Sequence, residues 1–283
     1  MVFGMRSMDL VDRSDEEKDP QAVWSFFDAY KTPGIGSAVS RPDFETFSHV
    51  TEDTKQKDRL LLQQKMNRPT LREQKTQGSD AFAFENFLTT HAMNYRWFGG
   101  ELSPTSVYDD WVSGADAVVE WPCDPPIRLA IDFTSTVQDK TFWRKSDKLE
   151  GNVLVKYFRS HVERENGQPK EMRVSLPVVL LGFDDSVFRK IAEEQEPMSP
   201  DHPFRRYLLE QALIQIQTQL ELFLKKEKEG GMTSGKNQNR KGDLERVLFQ
   251  LTKEFEQASA KEIDKKWQAI VQQSKTHRVL SGT

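Results

Sequence analysis

A chain of 283 residues has room for one large domain, or one domain with appendages, built on a sizeable core. Charged residues are 30% of the chain and the formal net charge is -4, which excludes binding of nucleic acid by bulk basicity; any such site has to be a local patch. One cysteine, Cys123, excludes a disulfide scaffold and a Cys-cluster zinc site. The mean hydropathy of -0.68 predicts a folded middle with solvated ends. No apolar run approaches the roughly 18–20 residues of a membrane span. The opening MVFGMRSMDLVDRSDEE turns acidic at once and lacks the apolar core of a signal peptide. The expectation is a soluble, cytoplasmic protein without membrane association.

Residues 1–79 read as a loosely structured N-terminal region. Charge runs alternate with Gly/Pro/Ser pieces such as TPGIGSAVSRPD, an aromatic patch (Val23, Trp24, Phe26, Phe27) is placed to dock on the main domain, and Thr51 to Asn67 suits a polar helix. Residues 80–98 read as an amphipathic helix with Phe84, Phe87, Leu88, His91 and Ala92 on its apolar side and Glu85 near its start. His91 is read there as a packed histidine. His49, His161, His202 and His277 have no metal-ligand spacing.

GADAVVEW (114–121) and IRLAIDFTST (127–136) read as two strands joined by the turn PCDPP, whose prolines cannot continue a ladder. Antiparallel pairing centred on Asp124 sets Val119 against Leu129, Ala117 against Ile131 and Trp121 against Ile127, a wholly apolar face. The other face then carries Glu120 opposite Arg128 and Asp116 opposite Asp132. Two like charges facing each other destabilise a strand pair by about 0.2–1 kcal/mol, a cost that a divalent cation between them removes; the alternative is that both aspartates face water on an exposed sheet face.

Residues 138–160 read mainly as a helix whose Lys145, Lys148, Asn152 and Lys156 share one face, with a strand over Val153 to Phe158 as the alternative for its tail, given Gly151 and the β-branched Val153 and Val155. MRVSLPVVLLGFDD (172–185) reads as a buried strand, with Asp184 and Asp185 able to cap a short helix. Residues 203–228 read as a long amphipathic helix, 229–242 as a flexible linker, and 243–283 as a helical segment, its helix at about 243–273. The fold class expected is mixed α/β: a short mixed sheet flanked by helices over 80–228, followed by C-terminal helices.

The sequence of a helix with Glu85, a strand with Asp116, a strand with Asp132-Phe133-Thr134, a helix with lysines, a strand and a helix resembles the PD-(D/E)xK nuclease superfamily, the restriction-endonuclease-like fold. The resemblance covers about 80–185. It implies that Asp116 and Asp132, with Glu85, hold Mg²⁺ (or Mn²⁺) for phosphodiester hydrolysis of nucleic acid, DNA rather than RNA. The triplet has Thr134 where the family places its lysine. The resemblance therefore implies a lysine moved to the next element, Lys148 in preference to Lys145, because Lys148 lies one turn further along and back toward mid-strand. Arg144, Lys145, Lys156 and Arg159 would grip the substrate. The alternative is a non-catalytic nucleic-acid- or protein-interaction protein that keeps the fold and assembles, as a homo-oligomer or with a partner, through its long C-terminal helices.

Overall fold

The computed structural model describes residues 27–30, 40–68, 80–134, 151–182, 187, 191, 199–229 and 235–259. In chain order the elements are α1 (Glu52–Met66), α2 (Asp80–Asn94), β1 (Glu101–Pro104), β2 (Ala117–Trp121), β3 (Ile127–Thr134), β4 (Val153–Glu165), β5 (Gln168–Leu176), β6 (Val178–Gly182), α3 (Pro203–Lys228) and α4 (Gly235–Ser259). The architecture is mixed α/β. A four-stranded sheet of order β1-β2-β3-β6 and a two-stranded sheet β4-β5 are flanked by helices. Among the described residues no helix is long and apolar enough to cross a membrane.

Strands β2 and β3 pair in the register that apolar matching demands, with Ala117 opposite Ile131, Val119 opposite Leu129 and Trp121 opposite Ile127. That face, with Phe133, Val179 and Leu181, packs against Phe84, Phe87 and Leu88 of α2, Leu208 and Ala212 of α3, and Leu244, Val247 and Leu251 of α4. Each large apolar side chain so buried contributes about 1.5–3 kcal/mol. Of the N-terminal aromatic patch, Phe27 docks as the sequence suggests, edge-on to Phe84 and Phe87 at 5.6 and 5.2 Å; Val23, Trp24 and Phe26 lie outside the described residues.

The second face of the sheet is where the structure departs from expectation. It does not face water. Val118, Ala130 and Val178 are covered by Val153, Val155, Phe158 and Leu176 of the β4–β5 hairpin. The helix expected over 138–160 is therefore a strand from Val153 onward, because Val153, Val155, Tyr157 and Phe158 fit a half-buried pleated surface better than a helix. Asn166 and Gly167 close the hairpin, both at positive φ (52° and 78°), the conformation a two-residue turn between twisted strands requires. The strand expected at 172–185 divides at Pro177 into β5 and β6, which lie in different sheets.

Strand β6 pairs parallel to β3 and forms the sheet's edge. Its outer backbone groups are taken by glutamines of α3: Gln215 accepts from the Leu180 N–H at 2.7 Å and donates to the Leu180 carbonyl at 2.6 Å, and Gln219 donates to the Val178 carbonyl at 2.8 Å. Polar residues on the inward side of α3 thus close an edge that would otherwise be open to pairing. Helix α3 runs over the residues expected of it, with Pro203 at its first turn and Lys225, Lys226 and Lys228 at its negative end. Helix α4 begins at Gly235, inside the segment expected as a linker. Arg240 lies over the Phe223 ring and Lys241 reaches Glu227, contacts that tie those polar residues to α3.

His91 is packed, as its position on α2 suggests. It stacks on Tyr95 and Trp97 and bonds the Tyr30 hydroxyl through Nε2 at 2.9 Å. Burial, with a lesser contribution from His202, lowers its pKa to about 4. The folded state keeps His91 neutral while the unfolded chain takes up a proton near pH 6.5, so its contribution to stability is intact above that pH and is lost as pH falls toward 4. A shift from 6.5 to about 4 corresponds to a loss of about 3 kcal/mol. Urea melts of His91→Leu across this window should show a shallower pH dependence than wild type; an unchanged slope would contradict the assignment.

Candidate active site

The β2–β3 ladder ends at Ala117–Ile131. Asp116, one step beyond, donates its N–H to the Ile131 carbonyl at 2.7 Å rather than pairing with the opposing Asp132. Its side chain turns across the strand, and Oδ2 accepts the Phe133 N–H at 2.7 Å. The Asp116 carboxylate is therefore bonded to the peptide group that joins Asp132 to Phe133. The expected face-to-face pairing is not formed; the Asp116 carboxylate is instead fixed by the backbone donor that follows Asp132. Asp132, opposite Leu180 of β6, alternates onto the same sheet face as Arg128 and Ala130. Both aspartates are buried, at 1% and 4% exposure, which sets them apart from solvated surface charges.

A cation the sequence did not suggest completes this end of the sheet. Arg41 enters from the N-terminal region and donates to the Asp116 carbonyl at 3.0 Å and to Asp116 Oδ1 at 3.4 Å. It stands 3.7 Å from Asp110, which lies in the single π-helical turn Asp109–Ser113 between β1 and β2. Burial alone would make the Arg41 guanidinium easier to deprotonate, but Asp110, Asp116 and Glu85 outweigh it and raise its pKa, so Arg41 is a permanent charge. Glu85 is buried on α2 and adds to the negative charge that acts on Arg41. Asp110 was legible only as one more acid in the run YDDWVSGAD.

Two other buried carboxylates have structural work. Register shifts interrupt the β4–β5 ladder between Val155 and Phe158 and between Ser160 and Arg164. At the first, Asp109 accepts the N–H groups of Lys156 and Tyr157 at 2.8 and 2.9 Å. Burial raises its pKa against the opposing pull of those bonds. At the second, Glu120 accepts the His161 N–H at 2.9 Å, the Ser160 hydroxyl at 2.7 Å and Arg128 Nε at 2.8 Å. Each acid replaces a backbone acceptor that the irregular strand has lost.

The expected basic face is not a helical face. Lys156 is on β4, bonds Asp58 of α1 at 2.5 Å and lies over the Tyr108 and Tyr157 rings. Arg159, also on β4, lies over Phe47 and bonds Glu171. Both tie the N-terminal segment to the β4–β5 hairpin, and both stand on a strand and not on a helix. Arg144, Lys145, Lys148 and the Asp184-Asp185 pair lie outside the described residues.

Comparison of the chain with protein-family models, with curated proteins and with solved structures finds no match.

Whether these residues suit a divalent ion is a question of donor chemistry and number. Among the described residues no three His, Cys, Asp or Glu side chains stand together as a ready metal-ligating group. Mg²⁺ does not need three: it usually keeps several waters and takes one or two carboxylates plus substrate phosphate oxygens. Asp116 and Asp132 supply that number of hard oxygen donors, and a cationic group, Arg41, already stands against one of them. The residues fit such an ion.

Proposed function

We propose that the chain is a metal-dependent nuclease of the PD-(D/E)xK type that hydrolyses phosphodiester bonds in nucleic acid, DNA rather than RNA, at the open end of the β2–β3 hairpin. The observation that carries the reading is the bond from Asp116 to the peptide following Asp132. It fixes the buried Asp116 carboxylate on the backbone next to the buried Asp132 at the end of an antiparallel pair, where a β-face of ordinary solvated charges would have neither burial nor a backbone anchor. The order of elements supports it too: α2 with Glu85, Asp116 immediately before β2, and antiparallel β3 with Asp132.

In this reading Asp116 and Asp132 hold Mg²⁺ or Mn²⁺, and Glu85 orients water at the site. The ion supplies positive charge to a phosphoryl oxygen and makes hydroxide accessible near neutral pH. Asp116, held through Oδ2 by the Phe133 amide, keeps Oδ1, the oxygen that Arg41 approaches, aimed without further ordering, and the buried setting strengthens every charge interaction at the site. Lys148 steadies the charge on the phosphate in place of the motif lysine that Thr134 replaces. The test is incubation of the full chain with circular and linear DNA and with RNA, in Mg²⁺, Mn²⁺ or EDTA. Cleavage of DNA in either metal that stops in EDTA is the expected result; cleavage that continues in EDTA would overturn the proposal.

A further inference from the structure

Arg41 is buried where the carboxylates converge, and its one normal-length hydrogen bond, at 3.0 Å, goes to the Asp116 main-chain carbonyl and not to a carboxylate. Its contacts to Asp116 Oδ1 and Asp110 are 3.4 and 3.7 Å, longer than the 2.7–2.9 Å or so of a charge-assisted hydrogen bond, and its buried Nε has no hydrogen-bond partner. The segment that carries it is anchored independently. Phe44 and Phe47 pack on Tyr157, Lys55 donates to the Glu45 carbonyl at 2.6 Å, and Asp58 bonds both Lys156 and the Tyr157 hydroxyl at 2.5 Å. The Arg41 side chain can therefore leave Asp116 while the rest of its segment stays in place.

We propose that Arg41 is the resident countercharge of this acidic site and that a divalent ion binds at Asp116 in exchange for it. The inference rests on the metal-dependent reading above and adds a positioning residue to it. With the ion absent, Arg41 neutralises carboxylates that burial would otherwise penalise heavily. With the ion present, the same oxygen serves the ion, and Arg41 turns outward, free to meet the phosphate backbone of a substrate. The chemistry recognised on both sides is the same: a cation for Asp116 and an anion for Arg41.

The experiment measures Mn²⁺ affinity of the full-length protein, without nucleic acid, from the electron paramagnetic resonance signal of the free ion. Wild type, Arg41→Gln, Arg41→Lys and Asp132→Asn are compared. If Arg41 competes, Arg41→Gln binds Mn²⁺ at least about tenfold tighter than wild type, and Arg41→Lys, which keeps the charge, stays near wild type. A residue that merely supports the fold would give the opposite sign, so equal or weaker binding by Arg41→Gln overturns the proposal. Hydrogen exchange on the wild type gives a second reading that needs no variant. Saturating Mg²⁺ should leave exchange of the backbone amides over residues 44–58 as it is, because only the Arg41 side chain moves, and faster exchange there contradicts release of the side chain alone. Mn²⁺ binding that is lost in Asp132→Asn but indifferent to Arg41 leaves the nuclease reading standing and removes this inference. Binding by none of the proteins removes both.

Discussion

Replacing Asp132 with Asn should lower metal-dependent cleavage by at least about 100-fold. Groups that only orient a metal ligand typically change affinity or activity 10–100-fold, and a ligand itself should cost no less. Asn keeps the size and shape of Asp132, and the β3–β6 backbone pairing opposite Leu180 does not depend on the side chain. The loss should therefore appear in turnover with the near-ultraviolet circular dichroism unchanged. Activity close to wild type in a folded Asp132→Asn protein would place the chemistry elsewhere in the chain. The companion variants Lys148→Ala and Lys145→Ala ask which lysine serves the phosphate. Loss confined to Lys145→Ala would reverse the assignment.

The largest effect on stability is expected at Asp109, a residue with no part in the proposed chemistry. Its carboxylate is fully buried and accepts from the Lys156 and Tyr157 amides and from the Ser106 hydroxyl. Asp109→Ala strands those donors where β4 is out of register with β5 and nothing else can take them. At about 1–3 kcal/mol for each buried donor left unmade, the cost is about 3–5 kcal/mol in chemical denaturation. The β4–β5 hairpin and α1 should loosen first, because Lys156 and Tyr157 also carry the bonds to Asp58. A loss under about 1 kcal/mol would mean that water replaces the carboxylate at the bulge.

The parts of this fold legible in the sequence are those written in a single hydrophobic period. The β2–β3 register follows because a one-residue slip would break the match of Ala117, Val119 and Trp121 with Ile131, Leu129 and Ile127. Helix α3 follows because its apolar spacing is regular and Pro203 and the terminal lysines mark its ends. The β4–β5 hairpin was harder, since its alternation is broken by two register shifts and its outer half is polar. Yet Asn166-Gly167 was a turn signal in plain view, and it outweighs the lysine spacing that suggested a helix. With that hairpin unread, nothing in the sequence showed that the Glu120–Arg128–Asp132 face is covered.

Site residues divide the same way. Asp116 and Asp132 were legible because they lie on neighbouring strands whose register the core dictates. Their geometry was not, because the ladder stops one pair early and Asp116 bonds the backbone instead of facing Asp132. Arg41 was invisible in the sequence: it stands 75 residues from Asp116 in a segment with no periodicity, and only the docking of Phe44 and Phe47 on Tyr157 brings it there. Lys156 and Arg159 looked like substrate contacts by charge alone, but each already has an acid and an aromatic ring within the fold.

The central claim is that Asp116 and Asp132 form a divalent-ion site, and thermal melts of wild type and Asp132→Asn, in EDTA and in millimolar Mg²⁺ or Mn²⁺, test it without knowledge of the substrate. An ion that binds the folded site and not the dispersed carboxylates of the unfolded chain stabilises by about 2.7 kcal/mol at 100 times its dissociation constant. The melting temperature of the wild type should rise with the ion, and Asp132→Asn should lose most of that rise. Equal responses of the two proteins, or a wild type indifferent to the ion, would contradict the claim.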